Sequence, residues 1–406
     1  MASVTVCHVR RVSNRWRDEG RARFHAIEEE AGMTGLTAIN PDTALYSSDD
    51  HMDLSYVPQT LWQDRVAARW KDAAPKVVEV KSGRLMWFRE GRPWGAQGSK
   101  RSDGRKVIFD DVGLLEEPEP GIFRAASAKY RLEDMNRDNI YAQVMYNFLD
   151  WGFEDPLLKE ACIQAFNDWI AEFCATNRDR LIGLAVLPTH DPQAAIRELE
   201  RVSRLGLRGA MFEFTGATLP VYDPAWDPLW AIAAERSIPI SFHIMFRKSQ
   251  ADDMKTYKWL MPARAAISCM MLKDIFVELM YCGITARHPK LKLVMAESSL
   301  GWLPFVLERL EYERKNYSHM ADALPKEDVH EIFRRNFYCT FQEEMLGVQL
   351  IQHIGEDNVM WAADYPHGDS SFPRSMEVVD HIFHGVDPRI KRKATRDNMK
   401  KLYRIA

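Results

Sequence analysis

Eight short apolar runs, separated by helical or turn-rich stretches, constrain this chain more than any other feature. They are residues 43–48, IYAQVMYN (140–147), LIGLAVLP (181–188), GAMFEF (209–214), PISFHI (239–244), LKLVMAES (291–298), FYCTFQ (337–342) and VMWAADYP (359–366). Most are continuous rather than alternating, the pattern of parallel strands buried on both faces. The stretches between them read as helices. Asp155-Pro156 and Asp191-Pro192 each supply an N-cap and a first helical residue. After the first of these, Leu158, Cys162, Phe166, Trp169 and Phe173 follow helical spacing. Further helices are expected over 224–236, 263–287, 301–317, 343–354, 373–384 and 388–404. Eight β/α units predict an α/β fold, a closed (β/α)8 TIM barrel. No GxGxxG or Walker loop follows any run, which argues against a doubly wound open sheet.

A barrel needs about 250 residues, and this chain has 406. The excess falls in two places. Residues 1–40, rich in arginine and glutamate, are expected to form an N-terminal arm, and 41–406 the barrel. Within the barrel, a long insertion over 54–130 follows the first strand. It carries Trp62, Trp70, Trp87 and Trp94 among charges and glycines. It shows no clear period, so a structureless lid or binding loop is expected there.

The formal net charge of −4 and the isoelectric point near 6.3 give no electrostatic case for nucleic acid or an anionic membrane. No run reaches the roughly 18 apolar residues of a membrane span. The first twenty residues are charged and lack an apolar signal core. The six cysteines are scattered without a CxxC pair; Cys162, Cys174 and Cys339 read as small core residues. A reduced, cytoplasmic setting is expected. The arm suits a homodimer or a hetero-oligomer with a related subunit.

Three of the eight runs end in carboxylates or histidines. The first leads into Asp49-Asp50-His51-Met52-Asp53, the fifth ends at His243, and the eighth ends at Asp364, with His367 three residues on. In a barrel these ends converge on the C-terminal face, where active sites lie. Alternation would turn Asp49, His51 and Asp53 to one side and Asp50 to the other. Imidazole and carboxylate together suit Zn, Mn or Fe. Such an ion activates water and polarises a substrate oxygen. A small-molecule substrate is expected, its carboxylate met by Arg247 just past His243.

From about residue 43 to 384 the chain resembles the amidohydrolase-related family, also called amidohydrolase family 2. The resemblance is carried by SSDDHMDL, RLEDMNRDNIYAQV, LIGLAVLPTHDPQAAIRELER, GLRGAMFEF, YDPAWDPLWAIAAERSIPISFHI, HPKLKLVMAESSLGWLPFVLERLE and AADYPHGDSSFP. It implies metal ligands at Asp49, His51, His243 and Asp364. It also implies a histidine at the end of strand six, where this chain has Glu297, either a general base or a further ligand. Glu213, ending strand four, stands where dinuclear relatives carry a bridging ligand. Three activities follow as expectations. The first is metal-dependent hydrolysis of a small organic substrate, with Glu297 or Asp364 as base and His367 at the mouth. The second is a dinuclear Fe or Fe/Mn oxygen-dependent monooxygenase. The third is non-oxidative decarboxylation of a small carboxylic acid, against which the missing strand-six histidine counts.

Overall fold

In the computed structural model the described residues are 39–97, 119–147, 149, 151–245 and 257–406. The arm expected over 1–40 therefore lies almost wholly outside them, as do 98–118 of the insertion and Arg247. Residues Asn40–Ala406 make up one compact unit.

All eight expected runs form strands. In chain order they are β1 (Leu45–His51), then β2 (Lys76–Glu79), β3 (Leu85–Arg89) and β4 (Arg92–Ala96) within the insertion. There follow β5 (Ile140–Tyr146), β6 (Leu181–Gly183), β7 (Ala185–Leu187), β8 (Ala210–Phe212) and β9 (Ile240–His243). The last three are β10 (Leu293–Ala296), β11 (Phe337–Phe341) and β12 (Val359–Trp361). Strand β1 pairs parallel with β5 and β5 with β6. From β7 to β12 every strand is parallel to the next in chain order. Strands β6 and β7 are two halves of one run, parted at Leu184. The Leu184 N–H donates to Met145 O, and the Ala185 N–H to Gly209 O, both at 3.0 Å. The ring closes where the chain past β12 meets β1. There the Asp364 N–H donates to Asp49 O (3.0 Å) and the His51 N–H to Tyr365 O (2.7 Å). The fold is the expected TIM barrel.

Alternation along these strands sorts the core into two layers. Tyr46, Ala142, Val144, Tyr146, Val294, Ala296, Tyr338 and Met360 pack together inside the barrel. Their neighbours Met145, Leu293, Met295, Phe337, Cys339 and Trp361 pack outward with the helices. The inner layer is completed by Met399, Leu402, Tyr403 and Ile405 from the chain's C-terminus. Tyr403 lies against Gly209, immediately before β8, so this plug fills the N-terminal end of the strands.

The helices follow from their caps. Asp155 accepts the N–H groups of Leu157 and Leu158 at the start of helix Pro156–Ala175. Asp191 does the same for Gln193 and Ala194 at helix Pro192–Leu205. The single helix expected over 263–287 is instead broken into Leu260–Ser268, a 3-10 turn Cys269–Leu272, Lys273–Tyr281 and Ile284–Arg287. Gly283, at φ 76°, makes the last break. Among the described residues no helix is long and apolar enough to cross a membrane.

The insertion corrects the expectation of a structureless lid. Strands β2, β3 and β4 form an antiparallel sheet of their own. The Trp87 indole N–H donates to Leu54 O at 2.8 Å, behind β1. The Glu90 carboxylate accepts the N–H groups of Glu154 (3.0 Å) and Asp155 (2.9 Å), and Arg89 donates to Gly152 O (2.9 Å). The sheet is thus fastened to the loops that leave β1 and β5. The sequence hid it because these strands pack on other parts of the chain rather than on a periodic face of their own.

Candidate metal centre

The centre begins with an irregularity in β1. Tyr46 faces the inner layer, so strict alternation would send Asp50 inward and Asp49 and His51 outward. The pairing with β5 slips between Ser47 and Asp50, and that bulge exchanges the faces. Asp49 and His51 enter the mouth. Asp50 turns away and accepts the Tyr365 N–H at 2.9 Å. Burial pushes the Asp50 carboxyl up to about 7, although Arg131 draws it the other way.

Around the mouth the ring nitrogens and carboxylates converge. His243 Nδ1 lies 2.7 Å from Ile244 O. A carbonyl only accepts, so Nδ1 carries the proton and the Nε2 lone pair faces the site. That nitrogen is 3.5 Å from Asp49 Oδ1 and 3.4 Å from Glu297 Oε2. His51 is oriented in the same manner by Asp53, 3.3 Å from Nδ1. Its Nε2 is 3.0 Å from Asp364 Oδ1 and 3.8 Å from Asp49 Oδ1. One donor atom each from Asp49, His51 and His243 lie within 4.8 Å of one another, and so do atoms of His51, Asp364 and His367.

This arrangement attracts positive charge. Asp49 Oδ1 and Asp364 Oδ1 are buried and face histidine nitrogens. Burial would lower the His51 pKa and the nearby His367 lowers it too, yet Asp53 and Asp364 raise it to about 10. The pocket therefore draws a proton onto His51, in the place a divalent cation would fill. Nitrogen and oxygen donors in this mixture fit Zn, Mn or Fe. Each histidine's other nitrogen is tied to an acceptor, as metal-ligating imidazoles require.

Two of the carboxylates sit on strained backbone. Asp364 and Glu297 have φ of 62° and 51°, a region that residues other than glycine enter uncommonly. Asp364 is pinned through its N–H to Asp49 O, and its own carbonyl accepts the His367 N–H at 2.9 Å. The Glu297 N–H donates to Thr340 Oγ1 at 2.7 Å. Burial, together with the charges of Asp364 and Asp49, pushes Glu297 up to about 7; His243 offsets part of this.

The remaining candidates divide. His367 reaches the mouth, its Nε2 2.7 Å from Asp53 Oδ2 and its Nδ1 3.1 Å from Asp364 Oδ1. It stacks on His51 with ring centroids 3.8 Å apart. Carboxylates stand at both of its nitrogens. Glu213 bends back on its own loop, accepting the Thr215 hydroxyl and the Gly216 N–H. Two further histidines that follow or precede barrel strands pair with other carboxylates: His190 stands 3.6 Å from Glu160 and His288 3.1 Å from Asp227.

Sequence reading passed over Arg131 and Thr340. Arg131 is fully buried and donates to His51 O (3.0 Å) and Gln143 Oε1 (2.8 Å). Thr340 donates to Asp49 Oδ2 at 2.8 Å. The only signal for Thr340 was a small aliphatic hydroxyl in a strand otherwise made of aromatic residues and a cysteine. Beside His243 a narrow cleft, with room for little more than a water molecule, is lined by Leu149, Trp151, Met211, Phe214 and Met245 together with Asn147 and Glu213. The Trp151 indole is fixed by Asn147 Oδ1, 3.0 Å from Nε1.

A family model described as Amidohydrolase matches residues 123–405. The chain belongs to this amidohydrolase family. A γ-resorcylate decarboxylase from Rhodococcus jostii is 30% identical over 218 residues, which cover 49% of this chain and 64% of that protein. The chain thus matches a little under two thirds of that relative's length. Among solved structures, an amidohydrolase from Mycobacterium avium subsp. paratuberculosis aligns with a TM-score of 0.68 at 19% identity, covering 89% of this chain and 99% of that one. A 5-carboxyvanillate decarboxylase from Novosphingobium aromaticivorans, complexed with manganese and 4-hydroxy-3-methoxy-5-nitrobenzoic acid, aligns with a TM-score of 0.62 at 18% identity, covering 91% and 98%. At these identities the two structures speak to the fold. The hydrolase expectation is overturned by the sequence relative, which is named for a decarboxylation. Glu297 stands at the mouth, where a histidine was expected.

Proposed function

We propose that this amidohydrolase-family chain is a metal-dependent, non-oxidative decarboxylase of a small hydroxylated aromatic acid. The observation that carries the reading is the convergence of Asp49, His51 and His243, with Asp364 joined to them through His51 Nε2 at 3.0 Å. The decarboxylase among the relatives and the manganese held by the carboxyvanillate enzyme support it.

Asp49, His51, His243 and Asp364 would hold one divalent ion. Both donor groups at the mouth share His51. Its Nδ1 lies against Asp53 and its Nε2 faces both Asp364 and Asp49, so both groups draw on the same ring nitrogen. That geometry favours a single centre over the dinuclear oxygenase. When bound, the ion supplies Lewis acidity toward the substrate's oxygens.

The chain's own residues do the rest. Trp151, Leu149, Phe214 and Met245 form an apolar wall beside His243. Decarboxylation breaks the bond between ring carbon and carboxylate; the electron pair stays on the ring carbon, which takes up a proton as CO2 leaves. Glu297, at the mouth within 3.4 Å of His243, is the group placed to give that proton from its carboxyl oxygen. His367 stays clamped between Asp53 and Asp364 and fixes the face of His51.

The test is direct. Manganese-loaded protein, offered a panel of mono- and dihydroxybenzoates and 5-carboxyvanillate, is expected to release CO2 and the matching phenol without oxygen uptake. No turnover of any member overturns the reading. Glu297→Gln is expected to hold manganese within about threefold while the rate falls about 10²- to 10⁴-fold; full activity would remove Glu297 as the acid.

A further inference from the structure

Thr340 lies on β11, fully buried, with its side chain directed into the barrel at the level of the mouth. A hydroxyl has one proton to give and lone pairs to receive. Here the lone pair takes the Glu297 N–H at 2.7 Å, so the proton is left for Asp49 Oδ2 at 2.8 Å. The two partners belong to different strands: Asp49 to β1, and Glu297 to the turn just past β10. One side chain therefore joins two acidic groups of the mouth that lie far apart along the chain.

The consequence falls on Asp49. A carboxylate with both oxygens available can rotate and present either one, or both. With Oδ2 held by Thr340, Oδ1 is left facing His51 Nε2 and His243 Nε2. The same hydroxyl holds the amide of Glu297 in its left-handed conformation, which sets where the Glu297 carboxylate stands.

We propose that Thr340 is the positioning residue of the metal centre, presenting Asp49 through a single oxygen and fixing Glu297 beside it. This rests on the metal-site reading above. Thr340 touches neither ion nor substrate; it acts through its two partners. Second partners of this kind typically change metal affinity by about 10- to 100-fold when removed.

The experiment is a manganese titration of the full chain, stripped with chelator and followed by calorimetry or by the EPR signal of the free ion. Thr340→Val keeps the shape but can neither donate nor accept, and is expected to weaken manganese binding at least about tenfold. Thr340→Ser keeps the hydroxyl and is expected to stay within about threefold of wild type. Thermal unfolding of the metal-free proteins is run in parallel. Valine binding manganese as tightly as wild type, even with a lower melting temperature, would mean a purely structural role and overturns the proposal. Serine as weak as valine overturns it as well, because the methyl group would then be what matters. If the valine variant does not fold, Thr340→Cys takes its place: a weak donor of similar size, it should bind several-fold more weakly than wild type, and unchanged binding overturns the proposal. Wild-type protein that binds no manganese would instead sink the metal-site reading itself, a separate and distinguishable failure.

Discussion

The two ends of this barrel are built on the same strands and the same inward-facing positions, yet they hold opposite chemistry. At the N-terminal end Tyr46, Val144 and Met360 meet Met399, Leu402 and Tyr403 in an apolar plug. At the C-terminal end the inward positions carry Asp49, His51, His243 and Asp364. Met360 and Asp364 are four residues apart in one run. The first buries a thioether and gains from packing. The second buries a carboxylate, an unfavourable act unless a cation or a donor answers it. The difference divides the labour: one end contributes stability, and the other gives some of it up for a cluster that seeks positive charge.

The largest test of that division is Asp364→Ala. Asp364 Oδ1 faces His51 Nε2 at 3.0 Å and His367 Nδ1 at 3.1 Å, so its loss removes a donor and frees both histidines to reorient. Manganese affinity is expected to drop about a thousandfold, some 4 kcal/mol, while the metal-free protein still unfolds cooperatively. Full metal occupancy by mass spectrometry under native conditions would show that Asp364 is not part of the centre. The converse test is Met360→Ala. It is fully buried in the plug, and the cavity should cost about 2–5 kcal/mol of stability in denaturant unfolding. Its manganese affinity should stay within about threefold of wild type. A large loss of metal binding from this change would mean that the two ends are coupled and the comparison fails.

How much of this could be read from the sequence divides along the same line. The eight strands were legible because parallel strands covered on both faces leave continuous apolar runs, and these runs need no partner to be recognised. The mouth residues were legible because a charge at the end of such a run has no packing reason to be there. What escaped depended on contacts distant in sequence. The antiparallel sheet β2–β3–β4 is fastened by Trp87 to Leu54 and by Glu90 to the turn before Pro156, and nothing in KVVE or RPWGA announces those partners. The bulge in β1 was hidden too. Alternation from Asp49 named the right residues, but alternation from Tyr46 would have excluded them, and only the register with β5 decides. Thr340 was silent because one threonine in a strand has many uses, and its role exists only where Asp49 and Glu297 meet it.

The smallest expected effect separates two carboxylates that each follow a strand end. Glu213 follows β8 as Asp364 follows β12, and both were candidates for the mouth. Glu213 accepts bonds from Thr215 and from the Gly216 N–H at 2.9 Å, so its carboxylate serves the loop that carries it. Glu213→Gln keeps an acceptor oxygen for those donors and removes only the charge. Manganese affinity should therefore move by less than about twofold, and stability by less than about 1 kcal/mol, the range of a weakened local hydrogen bond. A manganese titration beside Asp364→Ala reads the contrast on one scale. If Glu213→Gln lost metal as Asp364→Ala does, the loop would have to open and turn Glu213 inward when the ion binds, and a second ligand position at strand four would return with it.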